Sequence, residues 1–128
     1  MRPETFELRR DARAPGAARA LVALHAGDAP AAAVADAKLL VTELVTNAVL
    51  HGARGPITLT IAPAPRGRLR IEVVDEGSGF VPRARARPTT EPGGWGLHLV
   101  ETLSDRWGVR KGSTSVWFEI GPRAATRR

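Results

Sequence analysis

The 128-residue sequence contains no cysteine. That absence removes disulfides, thiolate nucleophiles and Cys-ligated zinc together. Histidine is scarce as well. Only His25, His51 and His98 are available, with no HExxH spacing, so nothing in the chain supports a zinc site. No apolar run approaches the roughly 20 residues that span a bilayer. The first ten residues are mixed and charged, without the apolar core of a signal peptide. The expectation is therefore a cytoplasmic protein with no membrane contact. Two phosphate-binding signatures are also missing. GxxxxGK followed by Ser or Thr does not occur, which closes the P-loop route to a nucleotide. GxGxxG does not occur either, so a dinucleotide fold has no support.

Aromatic residues are few, three Trp and three Phe, and Lys38 and Lys111 are the only lysines. The net charge of +6 is carried by arginine. A basic chain can meet nucleic acid, an acidic protein or a nucleotide. Here the arginines fall into separate clusters: Arg9-Arg10, Arg66/Arg68/Arg70, Arg83/Arg85/Arg87 and Arg123/Arg127/Arg128. No continuous basic stripe interleaved with aromatics exists, so the charge reads as solvated surface and no direct nucleic-acid partner is expected.

What remains is the pattern of one compact domain, of the commonest size for a single core. Residues 5–9 alternate polar and apolar as a first strand, and 11–15 read as a turn. Ala, Leu and Val recur at helical spacing over 17–25, with Gly27 as a stop. Asp28 and Pro30 announce a second helix over 31–50, Asp as the cap and Pro in the first turn. His51-Gly52 ends it, with glycine supplying a left-handed cap. Alternation over 56–62 and 69–74, across a turn at 63–67, predicts a hairpin. Residues 80–93, rich in Pro, Arg and Thr, read as a mobile loop. A short helix follows within 94–103, then a last hairpin of 105–110 and 114–120. The order of elements predicts an α+β fold, a helix layer on one face of a mixed, mostly antiparallel sheet. The domain is 1–128, with its core at about 5–121 and a frayed basic tail at 122–128.

The second helix is apolar nearly all round, as a buried helix should be. Glu43, Asn47 and His51 interrupt it at four-residue intervals, and Asp36 falls on the same side, forming a narrow polar seam. Two readings are open. The seam faces solvent, or it lines a ligand pocket. In a pocket, an Asn oxygen suits Mg²⁺ and a Glu one turn away can take a proton from an attacking hydroxyl. Asp75-Glu76-Gly77-Ser78-Gly79 follows a strand. It is either an ordinary Asp-Gly turn or a carboxylate placed to accept from an exocyclic amine, with glycines that let a planar base come close. Gly93-Gly94-Trp95-Gly96-Leu97 runs into a helix, either as a hinge or as free N–H groups that would bind phosphate.

The three segments occur together and in one order, and that order resembles the GHKL superfamily of ATPases and kinases. Residues 43–52 (ELVTNAVLHG) are similar to its N box, 74–80 (VDEGSGF) to its first glycine box and 94–100 (GWGLHLV) to its second. The continuation 101–108 (ETLSDRWG) and the end 115–119 (SVWFE) resemble one branch, the anti-sigma-factor serine/threonine kinases. The resemblance runs from Phe6 to Ile120 and implies a Bergerat-type two-layer sandwich that binds ATP and Mg²⁺. It makes Asn47 the Mg²⁺ ligand and Glu43 the general base. Asp75 becomes the partner of the adenine amine, with Gly77 and Gly79 beside the base. Gly94, Gly96 and Leu97 open the phosphate-binding helix, and Ser115 takes the place where the family usually has Thr in the adenine pocket, with Thr114 as the neighbouring register. The lid would carry Arg83, Arg85 and Arg87. Such a small set is chemically sufficient, since phosphoryl transfer needs mainly positioning and charge neutralisation. The implied partners are a STAS-type anti-anti-sigma protein, a sigma factor and a second copy of the chain. The other reading of the same boxes is a non-catalytic module whose ATP orders a partner-binding surface.

Overall fold

A computed structural model describes residues 2–52, 55–75, 96–109 and 114–122, with backbone alone at 96–98 and 114. Five strands form one sheet in the order β1-β2-β3-β5-β4: β1 Glu4–Leu8, β2 Ile57–Ala64, β3 Arg68–Asp75, β4 Arg106–Val109 and β5 Thr114–Ile120. All four described pairings are antiparallel, so the sheet expected to be mixed is antiparallel over its described extent. The described residues also form three α-helices: α1 Ala14–His25, α2 Ala31–His51 and α3 Gly96–Leu103.

The strands form where the period is two, and alternation decides their faces. Ile57, Leu59 and Ile61 of β2, Leu69, Ile71 and Val73 of β3, and Val116, Phe118 and Ile120 of β5 are all buried against the helices. Their neighbours face the other side of the sheet. The helices answer with Ala14, Ala18 and Val22 from α1 and Ala33, Ala37, Leu40, Val41, Leu44, Val45 and Ala48 from α2. Helices α1 and α2 pack on each other, and their buried Ala, Leu and Val join the core over the sheet. Val100 brings α3 into the same core.

Several boundaries differ from the sequence pattern, each for a local reason. Helix α1 starts at Ala14, three residues early, because Pro15 is compatible with a first turn. Its start is built by Asp11, whose Oδ1 accepts from the Arg13 N–H at 2.8 Å. Asp28 does not cap α2; the cap position is Pro30 and no side chain bonds there. Gly27, with φ of 61°, does stop α1 in the left-handed region. Gly52 does not do so for α2: its φ of −82° and ψ of −176° are extended. The β2–β3 hairpin is longer than the alternation predicts and turns through a 3-10 segment at Pro65–Gly67.

In that turn Arg66 has a φ of 67°, the only described non-glycine residue with positive φ. A Cβ in this region costs about 1–2 kcal/mol, part of which glycine returns through unfolded-state entropy. Arg66→Gly is therefore expected to stabilise the fold by about 0.5–1 kcal/mol, read as a rise in the denaturation midpoint.

The face of the sheet away from the helices explains part of the arginine clustering. Arg70 Nη1 lies 3.0 Å from Glu119 Oε2, and its guanidinium carbon sits 4.1 Å from the Trp117 ring centroid. Arg68 and Arg106 each approach Glu119 Oε1 at 3.7 Å. These arginines neutralise one carboxylate and cover an indole rather than form an open basic stripe.

Candidate nucleotide-binding site

The antiparallel registers line up one row across the end of the sheet. Leu8 pairs with Ile57, Ile57 with Asp75, and Asp75 with Thr114. Asp75 is the last residue of β3 and continues the inward series Leu69, Ile71, Val73, so its carboxylate is delivered to the helix-covered face. It is 6% exposed. A buried carboxylate without a partner is costly, and this one is paired. Arg10 Nη2 donates to Asp75 Oδ1 at 2.6 Å.

Arg10 reaches two further acceptors. Its Nε donates to the Gly55 carbonyl at 3.1 Å, and its Nη1 donates to the Ala48 carbonyl in the last turn of α2. The Ala48 carbonyl also accepts from the Gly52 N–H at 2.9 Å. A cation at that end of the helix complements the macrodipole. Gly52 is glycine because of close approach. A Cβ built there would overlap Asp75 Oδ2 and stand 2.5 Å from both the Ala48 oxygen and Arg10 Nη1. The end of β3, the end of α2 and the turn after β1 thus meet at one point.

Helix α2 carries the polar seam along the turns before that point. Glu43 and Asn47 are half-buried, and His51 is exposed. Asn47 precedes Ala48, and Glu43 stands one turn back along the same face. The seam is therefore neither fully solvated nor fully enclosed. Among the described residues no group of three or more His, Asp or Glu gathers to hold a metal ion.

Ser115 pairs with Val74, not with Asp75, and its Oγ hydrogen-bonds Glu72 Oε2. Glu72 and Ser115 belong to the face opposite the helices. The β5 position in the Asp75 row is Thr114. Gly96 and Leu97 are the first residues of α3, which packs on α2 and β4. Gly77, Gly79, Gly94, the loop 80–93 with Arg83, Arg85 and Arg87, and the tail beyond Pro122 lie outside the described residues.

In the sequence Arg10 is one of a surface-charge pair, Arg9-Arg10, with no motif that marks it. The cue available was the sheet row: two residues beyond Leu8, a long basic side chain at the end of β1 lies within reach of the end of β3.

The structure is an α+β sandwich: an antiparallel sheet covered on one face by helices, with the buried acid Asp75 at a strand end near the end of a helix that carries Glu43 and Asn47. The histidine kinase-like ATPase domain family matches residues 7–120, and the chain belongs to that family. ATP is the ligand that this membership implies. The chain is 35% identical over 79 residues to the anti-sigma F factor of Clostridium acetobutylicum, covering 55% of each chain. It is 34% identical over 99 residues to an anti-sigma F factor of Thermoanaerobacter sp., covering 69% of each. The chain thus spans about half of the clostridial relative that it matches. A Mycobacterium tuberculosis chain carrying RsbU and RsbW domains superposes with a TM-score of 0.67 at 23% identity, over 94% of this chain and 32% of that one. The blue-light activated histidine kinase of Erythrobacter litoralis superposes with a TM-score of 0.60 at 24% identity, over 88% and 42%. The two structures share the fold, α+β with helices on one sheet face.

Proposed function

We propose that the chain is an anti-sigma-factor serine/threonine kinase that transfers the γ-phosphoryl group of ATP to a STAS-type anti-anti-sigma protein. The observation supporting this reading is a helix α2 that carries half-buried Glu43 and Asn47 and runs to Gly52, which lies against buried Asp75. The relatives named anti-sigma F factor support the regulatory class.

In this reading Asp75 accepts from the adenine amine, with Gly77 and Gly79 beside the base and Thr114, rather than Ser115, as the hydroxyl-bearing position in its row. Asn47 would hold Mg²⁺, which supplies charge neutralisation at the phosphates. Gly94, Gly96 and Leu97 would present free N–H groups at the start of α3. Glu43 takes the proton from the acceptor hydroxyl as that oxygen bonds to the γ-phosphorus. The bond to the β-phosphate oxygen breaks, and ADP leaves. The domain acts in the cytoplasm as a single unit, as a dimer, and in its other state holds a sigma factor. No described helix is long and apolar enough to cross a membrane.

The test is incubation of the purified protein with Mg²⁺, γ-labelled ATP and a STAS protein encoded beside it. Label on a Ser or Thr of the STAS protein is the expected result. Saturable ATP binding with no label on any such partner would replace the kinase by a non-catalytic, ATP-ordered binding module.

A further inference from the structure

We propose that Arg10 is the positioning residue of the base-binding subsite, orienting Asp75 so that it reads the 6-amino group of a purine. This rests on the nucleotide-site reading above. Arg10 is placed by local structure. It lies two residues after β1, and the turn there is fixed by the Asp11 N–H on the Arg9 carbonyl at 2.9 Å and by the Asp11 carboxylate on the Arg13 N–H. The Leu8–Ile57–Asp75 row then puts its side chain at the same end of the sheet as Asp75.

One guanidinium there serves three acceptors from three segments: Asp75 Oδ1, the Ala48 carbonyl and the Gly55 carbonyl. The planar fork of Arg can satisfy such a set, whereas the single ammonium of Lys cannot hold all three in the same geometry. The side chains of Arg10 and Asp75 are 14% and 7% exposed, so water competes little for these bonds. Oδ1 is committed to Arg10 while Oδ2 lies against Gly52, which fixes the rotation of the carboxylate. An ionised carboxylate has about four lone-pair sites, so one carboxylate can accept from a guanidinium and from an exocyclic amine together.

The consequence is selectivity. A fixed acceptor rewards an exocyclic amine and rejects a carbonyl at the same ring position, because the carbonyl would leave a buried acceptor facing an acceptor. Arg10 touches no substrate in this scheme; it acts through Asp75 and through the α2 end that frames the base.

The experiment measures dissociation constants for ATP and inosine triphosphate, the 6-oxo analogue, with melting curves on the same samples. Wild type, Arg10→Gln, Arg10→Lys, Asp75→Asn and the Arg10→Gln/Asp75→Asn double variant are compared. Wild type is expected to prefer ATP. Arg10→Gln should weaken ATP about tenfold while changing inosine triphosphate little, so that the preference collapses. Arg10→Lys should recover part of it and covers the case in which Arg10→Gln does not fold. In the Asp75→Asn background, the loss of Arg10 should leave the ratio unchanged. The proposal is overturned if folded Arg10 variants keep the wild-type ratio, or lose both nucleotides in proportion to lost stability. Equal binding of both nucleotides by wild type overturns the roles of Asp75 and Arg10 but leaves the nucleotide site standing. Failure of wild type to bind either removes the site, and this inference with it.

Discussion

Gly52→Ala is expected to cost about 3 kcal/mol of stability and to abolish ATP binding. The backbone is not the obstacle, since φ of −82° suits any residue. The obstacle is space. The added methyl overlaps Asp75 Oδ2 and presses on Ala48 and Arg10, all in the centre of the ion pair. Overpacking alone costs about 1–3 kcal/mol. Displacing one member of a buried pair leaves an uncompensated charge, which by itself is worth about 3–5 kcal/mol when complete. Partial relaxation places the sum near 3 kcal/mol, or a fall in melting temperature of roughly 10 °C. Thermal melting and an ATP titration on the same protein read both effects. A variant that melts like wild type and binds ATP normally would show that Gly52, Asp75 and Arg10 are not in contact.

The second large effect separates the two residues of the α2 seam. Asn47→Ala is expected to remove Mg-ATP binding and phosphoryl transfer together, because its amide oxygen is proposed to serve the bound metal. Glu43→Ala is expected to leave binding near wild type and to slow transfer by about 10²–10⁴-fold, the usual contribution of a general base. Both residues are half-buried rather than core, so truncation should cost little stability. Single-turnover transfer of labelled phosphate, alongside equilibrium binding, distinguishes the two variants. Equal loss of binding in both would make Glu43 a structural member of the pocket. Unaltered transfer in Glu43→Ala would remove it from the chemistry.

The parts of the fold legible in the sequence are those with a strong local period. Helix α2 was readable from its apolar run, and β2 and β3 from alternation, because burial imposes 3.6 and 2 residue repeats locally. The polar seam was visible for the same reason, as an exception at fixed spacing. Three features were not legible because they depend on contacts between distant segments. Arg10 and Asp75 are 65 residues apart and meet only through the alignment of β1, β2 and β3. Ser115 and Thr114 are chemically similar neighbours, and only the register tells which of them pairs with Asp75. The sequence pattern at Gly52 suits a left-handed cap, a common role for glycine after a helix, whereas the structure requires it for close packing against a carboxylate. A sequence offers no way to tell those two uses apart. The charge pattern was legible only in sum: Arg68, Arg70 and Arg106 surround Glu119, while Arg10 is drawn inward to Asp75.

The location of the nucleotide site is tested most directly by backbone amide shifts during titration of the labelled protein with Mg-ATP. Saturable changes are predicted over residues 43–52 and at Asp75, with Arg10 following. The outer sheet face around Arg70 and Trp117, and the groove lined by Ala62, Pro63, Arg68 and Glu119, should stay unmoved. No saturable change at any concentration, or changes centred on that groove with α2 and Asp75 silent, would contradict the account.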